Sequence, residues 1–171
     1  MINKFRICTL FLLMALSIDG FGYELFPAKK SPLDRKREMF NRRARHPLGF
    51  NFSLLGPVGL MGFSVDYFIV PKIDIEVGAG LDYTAQKPGY FVGGKYHFFG
   101  NTLTNLTPYL GVYSAFHVDE DHIQSYNFYV PFGFHRIKRK QLCWSIEIAY
   151  QVHADPTQTQ FYGAGKVGWR F

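Results

Sequence analysis

From Leu48 to the last residue, apolar and polar positions alternate with period two, as in strands that present one face of each kind. The alternation divides into eight runs. In the first, about 48–55, Phe50, Phe52 and Leu54 oppose Asn51 and Ser53. The second, 59–68, sets Met61, Phe63, Val65 and Tyr67 against Gly62, Ser64 and Asp66. The third is the cleanest: Ile73, Ile75, Val77, Ala79, Leu81 and Tyr83 oppose Asp74, Glu76, Gly78, Gly80 and Asp82. In the fourth, Tyr90, Val92, Tyr96 and Phe98 oppose Phe91, Gly93, Lys95 and His97. The fifth, 107–117, is bulky on both faces. The sixth sets Tyr126, Phe128, Val130, Phe132 and Phe134 against Asn127, Tyr129, Gly133 and His135. The seventh sets Leu142, Trp144, Ile146, Ile148, Tyr150 and Val152 against Cys143, Ser145, Glu147, Ala149, Gln151 and His153, and the eighth runs 160–171. Turn signals separate the runs: Gly56-Pro57, Pro71-Lys72, Pro88-Gly89, Gly100-Asn101, Asp119 to Asp121, Lys138 to Lys140 and Asp155-Pro156. Runs of this length suit tilted strands rising about 25 Å. The pattern predicts an all-β fold, an eight-stranded antiparallel up-and-down barrel over 48–171 with both ends of the chain on one side.

Alternation alone leaves open which face points inward. A water-soluble, lipocalin-like binding barrel is the alternative, and it needs a solvated exterior of Lys, Glu and Thr. Here the polar face is mostly Gly, Ala, Ser and Asn with isolated charges, which suits the narrow lumen of eight strands. The other face is Phe, Tyr, Trp, Ile, Val and Leu almost without charge, as a lipid-facing wall requires. Aromatic residues make up 18% of the 171 residues, with Tyr67, Tyr83, Tyr90, Tyr126 and Tyr150 near run ends, where interfacial girdles form. The expected barrel is therefore transmembrane.

The N-terminus reads as an export signal, 1–22. Lys4 and Arg6 precede the apolar run ICTLFLLMAL, and Gly20-Phe21-Gly22 supplies a small-x-small cleavage site. That run is too short to cross a bilayer as a helix, which takes about 20 residues. Cys8 falls inside the signal, leaving Cys143 without a partner for an intrachain disulfide. Residues 23–47 form a separate basic segment that holds eight of the basic residues between Lys29 and Arg45 and accounts for much of the net charge of +6. Ser31-Pro32 is a helix start. The segment reads as a solvated tether or as a basic helix lying on anionic headgroups, with Leu33, Phe40 and Ala44 on one face.

The eightfold alternation and the ending Lys166-Val167-Gly168-Trp169-Arg170-Phe171 resemble the small outer-membrane β-barrel families of the OmpA, OmpX and OmpW kind. The resemblance covers 48–171. It implies residence in a bacterial outer membrane, periplasmic termini, and a C-terminal signal, Val167, Trp169 and Phe171, read by the barrel-assembly machinery. Gly163 and Gly165 stand where larger apolar residues are usual in these families.

On this reading Asp66, Asp74, Glu76, Asp82, Lys95, His97, His135, Glu147, Lys166 and Arg170 share the lumen as a structural charge network that fills it, because unpaired charge away from water is costly. The alternative is a narrow, porin-like channel for small solutes or a proton path. The outer loops fall near 55–59, 83–89, 117–125 and 153–159 and are short, which speaks against an adhesin. His117, Asp119, Glu120, Asp121 and His122 match no metal-ligand spacing, so neither metal nor cofactor is expected. Ser125 with His122, or His153 with Asp155, are the only pairs that suggest a lipid-modifying enzyme, and no spacing fixes their geometry. A non-enzymatic protein is expected. Its partners would be outer-membrane lipid and, through Lys29–Arg45 with Arg136, Lys138, Arg139 and Lys140, anionic lipid or an envelope polymer. Nucleic acid is not expected.

Overall fold

The computed structural model describes residues 41–82, 88–101, 106–119, 122–138, 141–153 and 159–171, and of 119, 122–125 and 153 it describes the backbone. The expected signal segment, 1–22, and residues 23–40 of the basic segment lie outside the described residues.

Eight strands form: β1 (Leu48–Gly56), β2 (Gly59–Val70), β3 (Ile73–Leu81), β4 (Pro88–His97), β5 (Leu106–Asp119), β6 (His122–Ile137), β7 (Leu142–His153) and β8 (Thr159–Arg170). Each pairs antiparallel with the next, and β8 returns to pair with β1, so the sheet is a closed up-and-down barrel with no free edge. The expected fold is the observed one. β2 runs on from the expected end at Phe68 past a register shift to Val70, and Phe68 points inward. β5 and β6 are longer than the alternation suggested, pairing out to Asp119 and His122 beyond a register shift at His117/Val118. The ambiguous faces of β5 resolve with Thr107, Tyr109, Gly111, Tyr113, Ala115 and His117 inward.

The polarity is the reverse of a protein folded in water. Large apolar side chains point outward, with Phe63 68%, Ile148 66% and Phe161 75% exposed. Asp74, Glu76, His97 and Glu147 point inward and are buried.

The turns at 71–72, 98–101 and 138–141 and the residues flanking β1 and β8 share one end, the terminal end; the other connections lie at the opposite, loop end. The terminal end carries a single helical turn, α1 (Arg42–Arg45). The Asn41 side chain accepts from the Arg43 N–H at 2.9 Å, and its Nδ2 donates to Gly100 O at 2.7 Å. An Arg42 guanidinium nitrogen donates to Ile137 O at 2.8 Å. Residues 41–47 are thus neither a solvated tether nor a helix on a lipid surface. They are tied to the barrel end because Arg43 finds an acceptor inside it.

The loop end is also occupied. Pro57 and Val58, at the β1–β2 turn, fold inward, and Val58 packs on Phe91, Tyr113, Ala115, Tyr129 and Ala149. Gly59 closes this turn at φ 128°, in the region that favours glycine. The stretch expected as an outer loop at 55–59 is instead a stopper in the barrel mouth.

Candidate functional site

Strand pleating sends alternate residues into the lumen, and antiparallel register decides which of them meet. Asp74 pairs with Lys95, and Glu76 with Gly93, across β3 and β4, so the lysine reaches both carboxylates: its Nζ lies 3.4 Å from Asp74 and 3.0 Å from Glu76. From the far wall, Lys166 donates to both oxygens of Glu76 at 3.1 Å and approaches Glu147 at 3.9 Å. Glu76 further accepts from Ser64 Oγ at 2.6 Å and from the Tyr113 hydroxyl at 2.5 Å. Glu147 accepts from the hydroxyls of Tyr109 and Tyr129, the latter at 2.5 Å. The lysines also lie over aromatic faces, Lys166 4.9 Å from the Tyr113 centroid and Lys95 5.6 Å from that of Tyr109.

Nearer the terminal end, His97 Nε2 lies 3.1 Å from Asp74 Oδ2, and its Nδ1 faces Thr107 Oγ1 at 3.5 Å. Arg43 donates to the same Thr107 hydroxyl. Burial first, and then the neighbouring Arg170, push the Arg43 guanidinium down to about 10, against the opposing pull of Asp74. His135 packs edge-on against His97 with centroids 5.3 Å apart. Arg170 pairs with Asp66 at 2.6 Å and donates to His46 O at 3.1 Å and Pro47 O at 2.8 Å. Its guanidinium also covers Phe68 at 4.3 Å. Asp66, Gly49 and Arg170 lie in one register row across β2, β1 and β8. A Cβ at Gly49 would collide with Asp66 Oδ1, so the bridge spans β1 only because that position has no side chain.

Four carboxylates (Asp66, Asp74, Glu76, Glu147) thus face four cations (Arg43, Lys95, Lys166, Arg170), all buried. With the histidines uncharged the network is neutral. A void with room for about one water molecule separates Asn51, Asp66, Lys95, His135, Ser145 and Lys166.

The expected lumen residues come together, with one exception. Asp82 lies just past β3 at the loop-end rim, half-buried beside Gly59 and away from the central cluster. From the sequence, Tyr129 fell on the polar face without a partner, the fifth run with Thr107, Tyr109 and Tyr113 was undecided, and Arg43 was assigned to the basic segment. Val167, Trp169 and Phe171, the expected assembly signal, point outward in a row. Phe171 N donates to Leu48 O at 2.8 Å, and its ring meets Phe50 edge-on at 5.9 Å, securing the β1–β8 seam. His117 Nε2 lies 3.0 Å from Val58 O and so serves the loop-end stopper. Glu120, Asp121, Asp155, Arg139 and Lys140, and the side chains of Asp119, His122, Ser125 and His153, lie outside what is described. Among the described residues, no cluster of His, Cys, Asp and Glu has the arrangement of a metal site.

No family model matches the chain, and no curated protein matches it. Among solved structures it is similar to a mutant of outer membrane protein G from Pseudomonas aeruginosa, determined in solution by NMR, with a TM-score of 0.52 and 11% identity over 74% of this chain and 97% of that one. At that identity the likeness is one of fold. The chain has the architecture of a small outer-membrane β-barrel, and the likeness singles out none of the OmpA, OmpX and OmpW subfamilies.

Proposed function

We propose that the chain is an integral protein of a bacterial outer membrane, exported there by its N-terminal signal, with a structural or envelope-interaction role and a lumen plugged by its own side chains. The inverted polarity carries this reading: a belt of exposed Phe, Ile, Val and Leu surrounds a charged interior. Hydrocarbon stabilises that arrangement and water does not. The plugging is supported by side chains from opposite walls meeting at hydrogen-bond distance and by the stoppers at both ends. The outward row of Val167, Trp169 and Phe171 is the part we expect the barrel-assembly machinery to bind. No enzymatic role is proposed, because the lumen carboxylates are engaged by cations and hydroxyls and turned away from lipid.

The test is electrophoresis of detergent-extracted outer membranes with and without boiling, combined with planar-bilayer recording. A band that shifts on boiling and the absence of steady conductance are expected. A mature polypeptide freely soluble without detergent would overturn the membrane reading, and stable conductance would overturn the plugged lumen in favour of a narrow channel.

A further inference from the structure

Outside the lumen, charge is sorted by end. At the terminal end Arg45, Arg136 and Lys138 are exposed, while among the described residues the acidic side chains at this end, Asp66 and Asp74, are sealed inside against Arg170, Lys95 and His97. At the loop end the sequence is the opposite, with Asp82, Asp119, Glu120, Asp121 and Asp155 against Lys87. The terminal-end cations are held on one side of the rim. The Arg42 bond to Ile137 O draws α1 against the end of β6, where Arg136 and Lys138 flank the buried Ile137. Gln141 ties the same corner together: its amide nitrogen lies 3.4 Å from His46 Nδ1, and its oxygen accepts from Trp169 Nε1 at 3.1 Å. Trp169, joined to this corner through Gln141, and Phe171, at the β1–β8 seam, are exposed on the outer wall at the same end.

From this juxtaposition we infer that the rim formed by Arg45, Arg136 and Lys138 with Trp169 and Phe171 binds anionic phospholipid, the cations taking the headgroup phosphate and the aromatics the upper acyl chain. The inference rests on the membrane reading. Phospholipid fits better than an acidic polymer beyond the membrane, because the cations and the exposed aromatic surface occupy the same end of the outer wall, and only an amphiphile satisfies both. The sequence of the loop end is acidic, so binding is assigned to the leaflet nearer the chain termini.

The full-length mature protein, refolded into phosphatidylcholine vesicles with a minority of phosphatidylglycerol, is tested with spin-labelled lipids of each kind. Wild-type protein should hold phosphatidylglycerol severalfold over phosphatidylcholine. Each cation at an anionic surface is worth about fivefold in association, so the triple variant Arg45→Glu, Arg136→Glu, Lys138→Glu should lose the preference while keeping its heat-modifiable band. The neutral triple variant, with Gln at all three positions, should lose most of it and serves if charge reversal hinders folding. Protein that inserts but holds both lipids equally, or variants that fold and keep the preference, would overturn the site. Loss of binding to acidic envelope polymer with lipid preference intact would overturn it in favour of the polymer. Failure of wild-type protein to insert would count against the membrane reading itself.

Discussion

Glu76 is the most heavily bonded carboxylate in the lumen, engaged by Lys95, Lys166, Ser64 and Tyr113 together. Removing one member of a buried ionic set leaves the others uncompensated, at a cost of about 3–5 kcal/mol. Glu76→Ala should therefore lower the unfolding free energy in vesicles by that amount, measured by urea titration. In a double-mutant cycle, Glu76→Ala with Lys166→Met should cost clearly less than the sum of the singles, because each removes the other's partner. A single-variant loss below about 0.5 kcal/mol would argue against a structural role for the network. Asp74, Glu76, Lys95, His97, Glu147, Lys166 and Arg170 were legible in the sequence because strand parity alone assigns their face. Tyr109 and Tyr113 were not, and Tyr129, which parity placed on the polar face, gave no sign of its carboxylate partner. An aromatic ring ordinarily marks the apolar wall, and only the carboxylates that meet their hydroxyls make the inward position favourable.

Among the elements, α1 and the β1–β2 turn have the least sequence signal and the largest effect on the ends of the barrel. Period two identifies strands but says nothing about where a tip folds, so residues 41–47 read as a basic tether and 55–59 as an outer loop. Both turn inward because the lumen offers what they lack: an acceptor for Arg43 and apolar cover for Val58. Arg170 connects α1 to the barrel through the carbonyls of His46 and Pro47 while pairing with Asp66. Arg170→Ala should destabilise by about 3–5 kcal/mol, since it strands a buried carboxylate. It should also raise amide hydrogen exchange in residues 42–47 more than in the mid-strands. Gly49→Val should reproduce both effects without removing a charge, because its side chain blocks the path between Asp66 and Arg170. Exchange in 42–47 that stays unchanged in either variant would dissociate α1 from this clasp.

For the whole molecule, the eight strands and their order were readable from alternation because neighbours in sequence are neighbours in the sheet, and so was the inward parity outside β5. The stagger that brings Lys166 onto Glu76 was not, since it depends on closure between β8 and β1. The direction of the apolar face has a direct test in Val77 and Ile148, both exposed in mid-strand. Val77→Lys or Ile148→Lys should cost about 2–4 kcal/mol and reduce the fraction that folds into vesicles, if these positions face hydrocarbon. In a barrel bathed by water the same changes would stay within about 0.5 kcal/mol.

The enclosure of the lumen charges, Asp66, Asp74, Glu76 and Glu147 against Arg170, Lys95 and Lys166 and Arg43 against Thr107, separates the molecule's electrostatics into two regimes. Mobile ions screen exposed charges beyond a Debye length of about 8–10 Å near physiological ionic strength, but they reach the sealed interior far less. Raising sodium chloride should therefore strip the rim of its lipid preference and leave the unfolding midpoint nearly where it was. Ionic strength becomes a means of addressing the surface of this barrel without disturbing its core.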